Sequence, residues 1–325
     1  MQPSTHISGE IENYGHIPVL RDEVLACLDP QPGKVYVDVT LGAGGHTAAL
    51  LEILQPHGQV IGIDQDPMAL VIAQQRLIQF GAQVQFIVGN FGQTSELLRP
   101  LIGLNRITGG LLADLGVSSM QLDTAERGFS FSKEAPLDMR MSPETELTAE
   151  TVINSYPEAA LKRIFSEYGE EHLSGTIARS IVHKRESDRF TTTVQLAQFI
   201  ANLYGGRGKK EKIHPATRVF QALRIEVNDE LGQLRRLLDS LPILLAPGAR
   251  VAIISFHSLE DRLVKQFFKK QSLNCICPPG FPVCRCTHRA TFRNLSNKPI
   301  IANETEIKRN ARARSAKLRA AIRLS

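Results

Sequence analysis

No run of apolar residues in this 325-residue chain is long enough to cross a bilayer, which excludes a helical membrane protein. Residues 1 to 15 lack the basic-then-apolar pattern of a secretory leader, so the cytoplasm is the expected compartment. The five cysteines are an odd number and do not make a disulfide framework. No nucleophile-elbow glycine pattern surrounds Ser255 or Ser258, so His257 beside Ser258 does not signal a hydrolase. What remains is ordinary for a soluble globular chain, with 42% apolar and 22% charged residues and length for one large or two modest domains.

Charge is unevenly placed. From Arg289 to Ser325 there are ten Lys or Arg against Glu304 and Glu306, an excess of eight, while the whole chain carries +5 and residues 1 to 288 therefore sum to −3. A basic tail suits phosphate-rich partners, and it equally suits a solvated, solubilising segment; charge by itself does not separate the two.

The chain is organised around Val35 to Asp66. A short β-branched run, Val35 to Val39, reads as a strand buried on both faces. Gly42, Gly44 and Gly45 follow, then an amphipathic segment with Leu50, Leu51 and Leu54 on one face, then a second β-rich run, Val60 to Ile63, ending in Asp64. Strand, glycine turn, helix, strand, acid is the βαβ nucleotide-binding arrangement. The glycines let backbone approach a ligand, the helix start offers N–H groups, and an acid about 20 residues on can accept from two ribose hydroxyls. Glycine-rich turns also exist simply to make turns; the acid at the strand end is what tips the balance. Thr47 stands where the dinucleotide fingerprint has its third glycine, which favours a ligand without a pyrophosphate, such as S-adenosylmethionine, over NAD or FAD.

Met1 to Tyr14 is polar and reads as a flexible segment. A helix with Val24, Leu25 and Leu28 on one side closes at Asp29-Pro30. Asp66-Pro67 is an N-cap and first helical proline, with that helix running to about Phe80 and stopping at Gly81. A third strand, Val84 to Val88, ends at Gly89-Asn90-Phe91, and a fourth, Ile107 to Ala113, ends at Asp114. The next strand, Arg250 to Ser255, starts 136 positions after Asp114, so an insertion of roughly a hundred residues interrupts a parallel sheet covered on both faces. The insertion is helical: Leu161, Ile164, Phe165 and Tyr168 share a face, as do Leu196, Phe199, Ile200 and Leu203, while Leu173, Ile177 and Ile181 step by four. Gly205 to Lys210 reads as a mobile basic loop. Phe220, Leu223, Val227, Leu231, Leu234 and Leu238 predict one long helix returning to the sheet.

Ligands of doubly wound sheets sit beyond the carboxyl ends of the strands, where the glycine turn, Asp64, Asn90-Phe91 and Asp114 all fall. A lone acid at a strand end is often only a helix cap, but every strand end here is suitable. Phe91 can stack on a purine, although an aromatic after a strand is more often core. Polar, aperiodic segments at 114–123, 126–131 and 136–141, and Ser255 to Asp261 after the later strand, have the character of site-forming loops.

These segments resemble a known family. HIPVL at 16–20, GAGGHT at 42–47, DLGVSS at 114–119, QLD at 121–123, ERGFSF at 126–131, PLDMRM at 136–141, FQALRIEVNDEL at 220–231, SFHSLEDR at 255–262 and ARSAKLR at 313–319 closely resemble the bacterial RsmH (MraW) family, in one register from about His16 to Arg319. That family comprises S-adenosylmethionine-dependent methyltransferases acting on the exocyclic N4 amine of one cytosine in the decoding region of 16S ribosomal RNA. The resemblance implies an α/β class I methyltransferase, a Rossmann-like doubly wound sheet, with an inserted all-helical substrate-recognition domain. It places the S-adenosylmethionine-binding domain at 1–124 and 216–325 and the RNA-recognition domain at 125–215. By motif, Gly44, Gly45 and His46 resemble the cofactor loop, Asp64 the ribose-binding acid, and Phe91, Asp114 and Gln121 the remaining cofactor contacts. The residues themselves give reasons for Asp64 and the glycines, weaker ones for Phe91 and Asp114, and none for Gln121.

A cytosine amine is a poor nucleophile and the sulfonium methyl is already activated, so the protein has mainly to align the two and accept hydrogen bonds from the amine. Asp114, Ser118 and Ser119, with Asp138, are the expected acceptors, acting on a single-stranded or flipped base. The implied partner is 16S ribosomal RNA or the small ribosomal subunit. The Ser/Asp-Pro-Pro-aromatic signature of DNA amino-methyltransferases is missing, which disfavours DNA. A catalytically idle ribosome-assembly factor is the alternative from another class, and a nicotinamide dehydrogenase is disfavoured by Thr47 and by the lack of a second nucleotide-binding half. Cys275-x-Cys277 and Cys284-x-Cys286 flank a Pro-Pro-Gly-Phe-Pro turn with His288 nearby. Four thiols this close suit zinc, yet single-residue spacers are tighter than the usual spacing of about two to four. A reduced cysteine-rich loop is the simpler reading, and no metal is assigned.

Overall fold

The computed structural model describes residues 18–102, 107–205, 213–278 and 283–325. The polar segment at 1–14, His16 and Ile17 of the HIPVL motif, residues 206–210 of the basic loop and residues 279–282 of the proline-rich turn lie outside the described residues. The chain forms two compact units, one of the residues up to Gly116 together with Gly232–Ser325, the other of Val117–Leu231.

The first unit holds α1 (Arg21–Leu28), β1 (Val35–Asp38), α2 (Gly45–Leu54), β2 (Gln59–Asp64), α3 (Pro67–Arg76), β3 (Val84–Val88), α4 (Thr94–Ile102) and β4 (Gly110–Asp114). In the second unit follow α5 (Ser119–Asp123), α6 (Ala149–Ser155), α7 (Glu158–Glu167), α8 (Ser174–Arg185), α9 (Thr193–Tyr204) and α10 (Thr217–Asn228). The chain then continues through α11 (Glu230–Leu244), β5 (Arg250–Ser255), α12 (Ser258–Gln271), β6 (Phe292–Asn294), α13 (Glu304–Arg309) and β7 (Lys317–Arg323). The seven strands lie in the order β3-β2-β1-β4-β5-β7-β6. The first five run parallel, while β7 is antiparallel to both β5 and β6. This is the α/β class I methyltransferase sheet that the resemblance implied.

Alternation along the strands explains why both faces are covered. Tyr36, Val60, Leu112, Ala252 and Ile254 enter one core with α1, α2 and α3. Their neighbours Val37, Ile61, Leu111, Val251 and Ile253 enter the other, with Leu98 of α4, Leu234 to Leu244 of α11 and Val264 of α12. Each such aliphatic side chain contributes about 1.5–3 kcal/mol on full burial, so the sheet is fixed from both sides by packing. The second unit has its own core, in which Leu161, Ile164, Phe165, Ile177, Ile181, Leu196 and Ile200 are fully buried.

The structure corrects three readings of the sequence and settles the conformation of the tail. The single long helix predicted from Phe220 is two, because Asp229 adopts a left-handed conformation (φ 47°, ψ 38°) between α10 and α11, a conformation that Asp tolerates better than most residues. The helix begun at Asp66-Pro67 ends at Arg76 and gives way to a 3₁₀ segment, Ile78–Gln83, that turns at Gly81 with φ 53°. The fourth strand starts at Gly110, with Ile107 making an isolated bridge to Leu245. The basic tail is built into the fold. It supplies β6, α13 and β7, and Glu306 accepts the Leu20 N–H at 2.6 Å.

In that tail Arg319 Nε lies 2.6 Å and Lys317 Nζ 3.5 Å from the carboxylate of Asp261 on α12, joining the SFHSLEDR and ARSAKLR motifs. Burial works to raise the Asp261 pKa, but its bond with Arg319 and the charges of Arg319 and Lys317 together hold it below the usual carboxylate value. A depressed folded-state pKa adds stability above the ordinary carboxylate range, and that stability is lost as pH falls through the folded value. Arg319→Ala should cost about 2 kcal/mol at neutral pH, and the deficit should shrink on acidification. Urea unfolding of both proteins at several pH values measures it.

Candidate functional site

The glycine loop is tied to three strand ends by side-chain hydrogen bonds. Asp38, at the end of β1 and only 1% exposed, accepts from the Thr40 N–H (3.2 Å) and the Thr47 hydroxyl (2.8 Å). Burial raises its pKa, against the lowering effects of His46, Thr47 and Thr40. The Thr40 hydroxyl accepts the Asp114 N–H of β4 at 2.6 Å. Gly42 donates its N–H to Asp64 Oδ2 of β2 at 2.7 Å. The loop is thus held to β1, β2 and β4 before α2 begins.

Two glycines are required by this path. Gly44 has φ +75°, and a Cβ there would lie 2.9 Å from Leu77 Cδ1. A Cβ on Gly45 would lie 2.7 Å from Pro18 Cγ. The glycines are thus demanded by packing against Leu77 and Pro18, and no side chain caps α2 at Gly44, so its first N–H groups have no side-chain acceptor there.

Asp64 accepts the Gly42 N–H on Oδ2 and the Asp66 N–H on Oδ1, the latter at 2.9 Å. A carboxylate has about four acceptor sites, so each oxygen keeps a lone pair for a vicinal diol. Loss of water pushes the Asp64 pKa up to about 6, despite the lowering effect of the two amides. Gly89 N–H donates to the Asp64 carbonyl at 2.9 Å, fixing the start of the next loop. There Asn90 accepts the Gly92 N–H (2.9 Å) and donates to Gln65 (2.7 Å), and partly buried Phe91 packs against the core on the α4 side of the sheet.

His46 and Asp114 face each other at 3.7 Å between Nε2 and Oδ2, beyond hydrogen-bond reach. His46 Nε2 and Asp114 Oδ1 are both buried and have no hydrogen-bond partner among the described residues. Buried polar atoms in this state suit a ligand that supplies the missing bonds.

The remaining candidates lie in the second unit. Ser118 and Gln121 form a capping box at the start of α5, with Ser118 Oγ accepting the Gln121 N–H (3.2 Å) and Gln121 Oε1 accepting the Ser118 N–H (3.1 Å). Ser119 is the first residue of α5. The Asp138 carboxylate is gripped by Arg140, whose Nε reaches Oδ1 at 3.0 Å and whose Nη2 reaches Oδ2 at 2.8 Å. Burial acts to raise the Asp138 pKa, but the Arg140 bonds prevail and lower it. Asn228 ties this segment to α10, donating to the Met139 carbonyl (2.8 Å) and accepting the Met141 N–H (2.7 Å).

Sequence reasoning passed over Asp38 and Thr40. An acid inside the apolar run Val35 to Val39 was the available signal, since a buried carboxylate must be paired. Thr47 was read only as a missing glycine; its hydroxyl is one of the groups that pairs Asp38. The polar cluster after β5 serves as a helix start: Glu260 accepts the N–H groups of Phe256 (2.8 Å) and His257 (3.3 Å) and lies 3.2 Å from the His257 ring.

The model of the MraW methylase family matches residues 13–324. A protein of Heliobacterium modesticaldum named Ribosomal RNA small subunit methyltransferase H is 48% identical over 311 residues, covering 96% of this chain and 99% of the relative. Relatives of the same name in Syntrophotalea carbinolica and Geobacter sulfurreducens are each 49% identical, again over 96% of this chain and 99% of theirs.

Thr47→Val keeps the shape at a fully buried position but removes the Asp38 partner. It should cost about 1–3 kcal/mol in urea unfolding, whereas Thr47→Ser should restore most of that loss.

Proposed function

The chain belongs to the MraW methylase family, and from that premise we propose that it methylates small-subunit ribosomal RNA with S-adenosylmethionine as donor, at the exocyclic N4 amine of one cytosine in the decoding region of 16S ribosomal RNA. The observation that carries the reading is the Asp64 carboxylate, bonded to the glycine loop through Gly42 and retaining acceptor sites for a ribose. In this account the first unit binds the donor and the helical unit Val117–Leu231 recognises RNA. The work takes place in the cytoplasm, on 16S ribosomal RNA or the small subunit.

Bound S-adenosylmethionine supplies a methyl group already activated on a sulfonium. Gly44, Gly45 and His46 line its loop, Asp64 holds the ribose, and Phe91, Asp114 and Gln121 complete the donor site. Asp114, Ser118, Ser119 and Asp138 are the groups available to accept from the amine and align it for in-line attack. Among them Asp114 is favoured, because Oδ1 is unpartnered among the described residues while Asp138 is occupied by Arg140. Orientation of an extruded base is the main task left to the protein, since the base must leave any stack to reach such a site.

Two measurements test this reading. Mass mapping of small-subunit RNA from cells with and without the protein should show one N4-methylated cytosine in the decoding region only when the protein is present; unchanged RNA contradicts it. Titration calorimetry with S-adenosylmethionine separates an enzyme from an idle assembly factor, which has no need of the donor. Asp64→Asn should weaken donor binding by about 1.5–3 kcal/mol, roughly ten- to a hundredfold. Ribose hydroxyls favour the ionised carboxylate, so wild-type affinity should be level above pH 6 and fall as pH drops below the Asp64 pKa of about 6. The fall approaches about tenfold per pH unit, and the Asn variant should lose this dependence.

A further inference from the structure

The four thiols between α12 and β6 have no place in methyl transfer, and their arrangement supports a separate site. The sulfurs of Cys275, Cys277, Cys284 and Cys286 all lie within 4.8 Å of one another. Cys284 and Cys286 Sγ are 3.5 Å apart, and Cys286 and Cys275 Sγ 3.8 Å. A tetrahedral zinc with Zn–S bonds of about 2.3 Å requires S···S edges of about 3.8 Å. Sulfurs joined in a disulfide stand about 2.05 Å apart, so these thiols are unbridged, at a spacing that a tetrahedral metal can use.

Single-residue spacers are compatible with this geometry. The backbone at 275–277 and 284–286 is not helical and bends at Cys277 and Cys286, and the four sulfurs converge to within 4.8 Å of one another. Each Cys-x-Cys arm can therefore offer both thiols to a common centre. Backbone N–H groups also point at the sulfurs: Ile276 at Cys286 (3.3 Å), Cys277 at Cys275 (3.4 Å) and Arg285 at Cys277 (3.5 Å). Such donors stabilise thiolate charge around a metal.

Among the described residues of the loop there is no apolar core to account for the convergence. Ile276 and Val283 are 43% and 66% exposed, and Cys275 and Cys284 are exposed. Its stem is closed by ordinary hydrogen bonds, Thr291 N–H to the Gln271 carbonyl (2.8 Å) and Ala290 N–H to Asn274 Oδ1 (3.3 Å). Small segments that bury little apolar surface commonly rely on a metal instead.

We propose that Cys275, Cys277, Cys284 and Cys286 form a mononuclear four-thiolate zinc site that staples the arm leaving α12 to the arm entering β6. With four protein ligands the ion has no open position, so its role is structural. The test uses the full chain, expressed with zinc supplied and purified in reducing buffer. Elemental analysis by plasma mass spectrometry should find about one zinc per chain. Cys284→Ser with Cys286→Ser should reduce that to below about a tenth, while Cys27→Ser, at a buried thiol outside the loop, should leave it unchanged. Cobalt exchanged into the unaltered protein should give the intense visible bands and sulfur-to-metal charge transfer of a tetrahedral thiolate site, a readout that holds even if the double variant fails to fold. Protein that holds no zinc and gives no such cobalt spectrum while its thiols are reduced overturns the proposal. So does iron in place of zinc, or zinc retained by a folded double variant.

Discussion

A carboxylate cut off from water must be paired, and Asp38 is the residue on which this constraint falls. It closes β1 in the middle of the sheet, with strands on either side and less than a few per cent of its surface open. Its partners are Thr40 and Thr47, the two ends of the glycine loop, so satisfying one buried charge sets the span of that loop. Thr40 in turn receives the Asp114 amide, and Gly42 reaches Asp64. Loop conformation, and with it the start of α2, follows from polar satisfaction at adjacent strand ends.

The same bonds account for the chemistry available at the edge. Asp64 is steadied by two backbone amides, which use part of its acceptor capacity and leave a lone pair on each oxygen. Asp114 and His46 sit close without bonding to each other, each with a buried atom that has no partner among the described residues. A site prepared in this way presents acceptors and a helix start with little reorganisation to be done when a ligand arrives, which is the economy expected of an enzyme that works mainly by alignment.

Much of this was legible in the sequence, and the parts that were not have identifiable physical causes. Strands Val84–Val88 and Arg250–Ser255 coincide with β3 and β5. The second is a continuous apolar run buried on both faces. The first, an edge strand with Gln85 and Val88 exposed, is still marked by its β-branched and aromatic residues and by Gly81 and Gly89, which bound it. The glycine turn and Asp64 were readable from spacing alone. By contrast, β7 was hidden by its charges: Lys317, Arg319 and Arg323 alternate with Leu318, Ala320 and Ile322, and the basic residues draw the eye to solvent although the first two pair with Asp261. The break at Asp229 was hidden because the apolar spacing from Phe220 to Leu238 runs on unchanged through a residue whose backbone does not. Asp38, Thr40 and Thr47 could not be recognised as a set, since what unites them is proximity across a turn. Gln121 offered no reason in sequence, and in the structure its visible role is to complete the Ser118 capping box.

A crystal structure of the full chain with S-adenosylmethionine tests the central claim most directly. Both ribose hydroxyls should lie within hydrogen-bond distance of the Asp64 carboxylate, with the Gly42 amide still bonded to the same group and Asp38 still paired with Thr47. A donor bound elsewhere, or bound with Asp64 turned away and the loop re-formed around other contacts, would contradict the account.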